Sequence, residues 1–484
     1  MPPPKQPGPD ASDKQDDNGV AKEGSNTPNS HDQQKRPEDL FFGDKLPWAE
    51  LAWYNTLASP YYNATHRALR DAARAYIDTH IMAHAPAWEA AGACPEAARR
   101  AWTATGLPLL DVPLEYRPAG HKSIKLSLPN SSDGNHTKTE QIPVDKLDAF
   151  HLLILHDESS RFQGGVATGL AGANLIGLPP VLHHGTDAQK RRWLPGLFTW
   201  QTNFCLGVTE PSGGSDVGNL RTTATKTADG SHYVVNGTKK WITGAPWATH
   251  MTTAVRTGAP GSGVSGISLL VIPLASTGIT ISKIANSGQN AGGASWVRLH
   301  DVRVPADHLL GAENAGFKYL MTNFNKERFV LAVSCNRHAR TCLSTSLAYA
   351  AERETFGQPL VGHQVIRHKL ATLAREVEAH WAWLEQIAYH ITTDPRGWRS
   401  ESIAGRTALA KVSGGRILEL AAREAQQIMG GVAYQKNGPG GGGTVEQITR
   451  DLRMNVVGGG SEEILNDLAF REEMKRARKI GAHL

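Results

Sequence analysis

The 484-residue sequence predicts a mainly α-helical fold with a β domain at its centre. Three observations carry that prediction. Segments with helical spacing occupy residues 45–200, short strand-like runs bounded by turn residues occupy 201–311, and long helical patterns return over 312–484. A chain of this length also exceeds what one small core organises, so several packed units are expected.

The first element in order is a tail. Residues 1–44 open with Pro2, Pro3, Pro4, Pro7 and Pro9 among acidic and amide side chains, with almost no large apolar residue, and cannot bury enough surface to order themselves. A mitochondrial presequence is Arg-rich and poor in acids. Here Asp10, Asp13, Asp16 and Asp17 precede the first arginine, Arg36, so import by that route is not expected. Over 45–200, Thr65–His84, Cys94–Thr105, Asp145–Ser160 and Ala188–Leu197 have helical spacing or composition between Gly and Pro breaks. The polar stretch from Arg117 to Pro143, with Ser131, Ser132, Asp133, Gly134 and Asn135 together, predicts an inserted surface loop.

Within 201–311, His232–Val235 and Lys239–Thr243 flank Asn236-Gly237, whose tolerance of positive φ predicts a tight hairpin turn. Strands are expected at Met251–Arg256, Ile267–Pro273, Ile279–Ile284 and Trp296–Val304, giving a barrel- or sandwich-like unit. The final helices are predicted at Ala315–Glu352, Gln364–Thr392, Ala404–Met429 and Glu462–Lys479. The run Gly438-Pro439-Gly440-Gly441-Gly442-Gly443 lacks the preceding strand and following lysine of a phosphate loop. Thr444-Val445-Glu446 follows instead, and a flexible surface loop is expected.

Composition removes several function classes. A net charge of +5 is modest for this length and does not call for nucleic acid. Cys94, Cys205, Cys335 and Cys342 show no metal or disulfide spacing, which points to reduced thiols and an intracellular protein, and the scattered histidines suggest no metal site. No apolar run reaches membrane-spanning length; the candidate around Leu170 to Leu182 is broken by Gly177, Pro179 and Pro180.

The chemically informative stretch is Gly207-Val208-Thr209-Glu210-Pro211-Ser212-Gly213-Gly214-Ser215-Asp216, followed by Lys240-Trp241-Ile242-Thr243. Small residues and hydroxyls let backbone amides and Oγ atoms approach a polyanionic cofactor, while Trp241 offers an aromatic wall. In its word order this stretch resembles the flavin-binding signature of the acyl-CoA dehydrogenase family, departing at the last small-residue position, Asn219. Arg353-Glu354-Thr355-Phe356-Gly357, with Gln364 after it, resembles a second family element, and Gln427-Ile428-Met429-Gly430-Gly431 a third.

The resemblance implies an N-terminal helical domain, a central β domain and a C-terminal four-helix bundle holding FAD. It implies that Val208, Thr209, Trp241 and Thr243 line the isoalloxazine, that Ser215 sits near the pyrophosphate or the thioester, and that Ser461 helps hold the flavin. It places Arg353, Phe356, Gln364, Gln427 and Gly431 on the adenosine diphosphate half of a neighbouring subunit's FAD, which requires a homodimer or homotetramer. Phe324, Asn325, Arg328 and Gly458, with Ser215, are expected to meet the acyl-CoA.

The base needs separate argument. Many family members carry the catalytic glutamate after an Arg-Asp pair. Here Arg450-Asp451 leads to Val456-Val457-Gly458-Gly459-Gly460-Ser461, with Gly459 at that position, and glycine accepts no proton. Leu320, Phe324, Glu327, Leu331 and Cys335 fall on one helix stripe, so Glu327 is a lone carboxylate among apolar neighbours, with a raised pKa suited to a general base. A surface pairing with Arg328 or Lys326 is the plainer reading of the same residue. Glu327 matches the alternative base position of isovaleryl-CoA and long-chain acyl-CoA dehydrogenases. The resemblance further implies that Gly459 N–H and a ribityl hydroxyl polarise the thioester, and that electrons pass to an electron-transfer flavoprotein.

Two other readings stay open: an oxidase-like enzyme using oxygen, and a flavin-bearing binding protein, for which the basic residues Arg471, Lys475, Arg476, Arg478 and Lys479 are the support. The terminal Ala482-His483-Leu484 resembles a variant peroxisomal address.

Overall fold

Helix caps set the register of the N-terminal helices. Asn63 accepts the N–H of Thr65 and His66, and His66 Nδ1 accepts the Asn63 N–H in return; Asp148 with His151, and Thr186 with Gln189, repeat the arrangement. The computed structural model describes residues 41–128 and 138–481. The tail to residue 40, the polar tip at 129–137 with Ser131–Asn135, and Ala482-His483-Leu484 lie outside the described residues. In chain order come α1 (Ala52–Asn55), α2 (Ala64–His80), α3 (Ala85–Ala91), α4 (Glu96–Ala104), β1 (Ser123–Leu128) and β2 (Lys138–Pro143). The N-terminal part then closes with α5 (Ala149–Ser159), α6 (Val166–Ala171), α7 (Asn174–Gly177), α8 (Pro179–His184) and α9 (Asp187–Trp193).

The polar stretch from Arg117 to Pro143 is not simply a loop. Its flanks pair as the antiparallel strands β1 and β2, from Ser123↔Pro143 to Leu128↔Lys138. Ile124, Leu126 and Ile142 are buried, a short alternation that the surrounding polar residues obscure in the sequence.

The middle of the chain supplies β3 (Phe204–Gly207), β4 (Thr223–Lys226), β5 (His232–Ile242), β6 (His250–Arg256), β7 (Ile267–Pro273), β8 (Ile279–Lys283), β9 (Ser295–Pro305) and β10 (Leu309–Leu310). They form one eight-stranded sheet in the order β10-β7-β6-β4-β5-β9-β8, with β3 parallel to β6. Period-two alternation divides its side chains. Leu206, Val208, Ile267, Leu269 and Val271 join a core with Trp193, Phe198 and Leu320, whereas Cys205, Met251, Leu270 and Ile272 join Val235, Val297 and Val302. The second core gathers both ends of the strand order, so the sheet curls upon itself.

The expected hairpin at Asn236-Gly237 is a correction. The strand β5 runs unbroken through these residues and pairs with β9, with a register shift between Val235 and Gly237. Asn236 Oδ1 accepts the Asp301 N–H at 2.8 Å, and a Cβ on Gly237 would stand 2.7 Å from Thr222 Cα, so the pair marks a bulge under close backbone packing. The turn lies at Asp229-Gly230 instead, where Asp229 accepts from Thr227 Oγ1 and the Ser231 N–H.

The C-terminal part holds α10 (Gly316–Glu352), the two-stranded β11 (Glu354–Thr355) and β12 (Gln358–Pro359), α11 (Gln364–Thr393), α12 (Ile403–Met429), α13 (Gly442–Val457) and α14 (Glu462–Lys479). α13 is a helix the sequence reading omits, because it starts inside the glycine run. Those glycines are packed rather than free: a Cβ on Gly442 would meet Val432 Cγ1 at 2.6 Å, and one on Gly443 would meet Asn437 Cα at 2.7 Å. N-terminal helices, a middle β domain and C-terminal helices therefore follow one another as expected.

Candidate active site

The site grows from the meeting of α10 with the turn after α13. α13 is anchored by Asp451, whose carboxylate accepts the N–H of Gly164 and of Gln289, each at 2.7 Å; burial pushes its pKa up to about 6. About two helical turns further on, Gly459 and Gly460 take φ of +69° and +117°, conformations that favour glycine. A Cβ on Gly459 would lie 2.7 Å from Leu331 Cδ1 and 3.8 Å from Glu327 Oε1, so the turn abuts the Glu327 carboxylate directly. Arg328 Nε donates to Gly459 O at 3.2 Å, and the Gly459 N–H meets no acceptor among the described residues.

Glu327 is half-buried, and its Oε2 atom is enclosed without a hydrogen-bond partner. Burial pushes its pKa up to about 7, against the opposing pull of the Arg328 and Lys411 charges. The structure thus brings together Glu327, Arg328, Gly458, Gly459 and, one residue past Gly460, Ser461. Phe324 joins them through Arg328, whose guanidinium stands 5.5 Å from its ring, and packs on the core containing Val208. Asn325 is not brought to this point. It is buried about 200° round the helix from Glu327, and its Nδ2 donates to Trp398 O at 3.3 Å.

The second group sits at the end of β3. Lys240 N donates to Thr209 O at 2.9 Å, which sets Val208 and Thr209 beside Trp241 and Thr243. Trp241, at φ +64°, leaves 51% of its surface exposed, with Lys240 Nζ 4.8 Å from its ring centroid. Ser215 is exposed in the adjoining turn, where a Cβ on Gly214 would approach Thr209 Cγ2 at 3.7 Å. Beneath the turn, Lys239 Nζ donates to Glu210 Oε1 at 2.8 Å and Val208 O at 3.2 Å, and Glu210 also accepts the N–H of Arg221 and Thr222. Exposed aromatic surface, hydroxyls and a braced small-residue turn suit a flavin.

The third group is remote. Arg353 caps the C-terminal end of α10, 26 residues from Glu327 and roughly 39 Å away along the helix at about 1.5 Å per residue. Phe356 projects beside it with 96% of its surface exposed, and Gln364 opens α11, also exposed. Gln427 lines a cavity of about 400 Å³ with Glu419, Arg423, Gly430 and Tyr434, and Gly431 follows in an exposed turn.

Two residues escape the sequence reading. Lys411, 1% exposed, reaches the glycine turn from α12, and Lys239 braces the β3 turn from below. The available signal for Lys411 is a lone cation on the apolar stripe of Ala408 and Leu418. His66, Asp148 and His151 stand close enough to share a cation. The three are also bonded to one another, with Asp148 Oδ1 3.0 Å from His66 Nε2 and 2.9 Å from His151 Nδ1, and His151 Nε2 stands 3.1 Å from Thr65 Oγ1.

Family models match three successive stretches. The acyl-CoA dehydrogenase N-terminal domain matches residues 63–128 and 139–201, the middle domain 205–302 and the C-terminal domain 314–473. The chain belongs to the acyl-CoA dehydrogenase family and is an FAD-dependent acyl-CoA dehydrogenase. It is 38% identical to the acyl-CoA dehydrogenase apdG of Emericella nidulans, across 90% of this chain and 98% of that protein. It is 39% identical to the acyl-CoA dehydrogenase AFT10-1 of Alternaria alternata, across 90% and 97%. The crystal structure of acyl-CoA dehydrogenase from Geobacillus kaustophilus superposes with a TM-score of 0.73 at 25% identity, covering 86% of this chain and 100% of that one.

Proposed function

We propose that the enzyme dehydrogenates its acyl-CoA at the α,β bond with Glu327 as the base, the placement of the isovaleryl- and long-chain types. The observation that carries this reading is the Glu327 carboxylate, its Oε2 enclosed and unpartnered and its Oε1 beside Gly459. A carboxylate so desolvated is ionised near neutral pH yet holds a proton readily, which suits removal of a weakly acidic α-proton. Arg328 fixes the Gly459 carbonyl, and the free N–H of that residue polarises the thioester oxygen as negative charge develops there. Phe324, Gly458 and Ser215 flank the thioester. A glutamate at position 459 would have to adopt φ +69° and displace the Leu331 side chain, so the backbone here is built for glycine.

FAD, when bound, supplies the hydride acceptor for the β-hydrogen. Val208, Thr209, Trp241 and Thr243 would seat its ring system, with Ser215 and Ser461 on its polar parts. Arg353, about 39 Å from Glu327 along α10, would serve the flavin of a second copy together with Phe356, Gln364, Gln427 and Gly431, which makes the enzyme a homodimer or homotetramer. Family membership supports an electron-transfer flavoprotein as acceptor. The Arg353 guanidinium has no partner among the described residues, and Arg353→Ala is expected to weaken FAD binding at least about tenfold by removing a charge-assisted phosphate contact. Purified Arg353→Ala with one FAD per chain would count against the cross-subunit role.

The reading is tested by the pH dependence of flavin bleaching on anaerobic mixing with acyl-CoA. Because Glu327 must be ionised and its pKa stands near 7, the rate is expected to fall about tenfold per pH unit below 7 and to level off above it. A rate unchanged between pH 5.5 and 8 would exclude Glu327.

A further inference from the structure

We propose that Lys411 is a positioning residue for this reaction: its ammonium ties the glycine turn to α12, so that the Gly459 N–H and the Glu327 carboxylate are held side by side. Lys411 Nζ donates to Val456 O and, at 2.9 Å, to Gly460 O. With Arg328 on Gly459 O, two cations hold three carbonyls of a five-residue segment. That segment needs outside support, because positive-φ glycines leave the backbone many alternatives in which the N–H turns away.

The ammonium is almost wholly enclosed, and the groups around it are few. α10 presents Glu327, Arg328 and Cys335, and α14 presents Glu462, which is paired with Arg416. α11 brings His380, engaged with Ala410 O at 2.9 Å. Burial lowers the proton affinity of Lys411, while its charge draws Glu327 toward ionisation. Lys411 therefore contributes, with Arg328, both to the orientation of the donor and to the acidity of the base, without touching substrate or flavin.

The role of Lys411 rests on Glu327 being the base, and the test separates the two. Lys411→Met and Lys411→Arg are compared with the parent as FAD-loaded protein. Protonation of Glu327 is followed without substrate through the carboxyl infrared band that Glu327→Gln removes. In Lys411→Met the midpoint of that titration is expected to rise by about one pH unit, and anaerobic bleaching at neutral pH to fall at least about tenfold. Lys411→Arg keeps the midpoint but bleaches more slowly, since a planar guanidinium replaces a compact donor reaching two carbonyls. An unmoved midpoint with parent-like bleaching in Lys411→Met overturns the proposal. Where Lys411→Met does not accumulate as folded protein, Lys411→Arg decides: parent-rate bleaching at every pH overturns the proposal, and slower bleaching at an unmoved midpoint supports it. A base other than Glu327 is detected independently, as parent-rate bleaching in Glu327→Gln.

Discussion

Replacing Arg337 with methionine is expected to destabilise the folded protein by about 3–5 kcal/mol, the range for breaking a buried ion pair from one side. Arg337 is 3% exposed midway along α10, and its Nε donates to Asp157 Oδ1 at 2.8 Å while Nη2 meets the other carboxylate oxygen. Its Nη1 donates to Ala49 O at 3.3 Å and lies 3.5 Å from Glu50. Arg74 continues the network by bridging Glu50 and Glu158. Methionine fills much of the volume but leaves the fully buried Asp157 carboxylate without its fork of donors, and water has no access to replace them. Equilibrium denaturation measures the loss. Adding Asp157→Leu is expected to recover most of it, since an apolar pair of similar volume removes both charges together. A single variant within about 1 kcal/mol of the parent contradicts this account of how α10 is fixed against α2 and α5.

The order of helices, strands and helices was legible because periodicity survives in long elements. Gln364–Thr393 and Ile403–Met429 keep an apolar stripe throughout, and β7 is a nearly continuous apolar run. Local signals failed where tertiary pairing overrode them. Asn236-Gly237 has hairpin chemistry, yet β9 runs beside the whole of β5 and turns the pair into a bulge. The glycines before α13 signal flexibility in sequence, whereas the backbone of Val432 and Asn437 packs where their side chains would be. Within the site, Glu327 was visible as one acid on an apolar stripe. Lys411 was not, since its meaning depends on carbonyls 45 and 49 residues away in the chain. Asn325, which the resemblance sets against the acyl-CoA, lies about 200° round the helix from Glu327 and bonds Trp398 O.

Glu327→Gln is expected to slow substrate-driven flavin reduction by roughly a hundredfold or more, because glutamine keeps the volume and the hydrogen-bonding oxygen but accepts no proton. Its stability should move the other way. The folded-state pKa of Glu327 lies near 7, above the ordinary 4.5, so its protonated form favours folding. That contribution is fully present below the ordinary value and is lost as pH rises through 7, where the parent carries a buried charge. The glutamine variant is therefore expected to be the more stable of the two above pH 7, with the difference closing toward pH 4, so that slow reduction in the variant is not mistaken for misfolding. The decisive measurement is anaerobic stopped-flow mixing of each FAD-loaded protein with its best acyl-CoA at pH 8, following loss of the oxidised flavin band. Bleaching in Glu327→Gln slowed about a hundredfold or more, with FAD content unchanged, is the predicted result; bleaching as fast as the parent contradicts the assignment of Glu327 as the base.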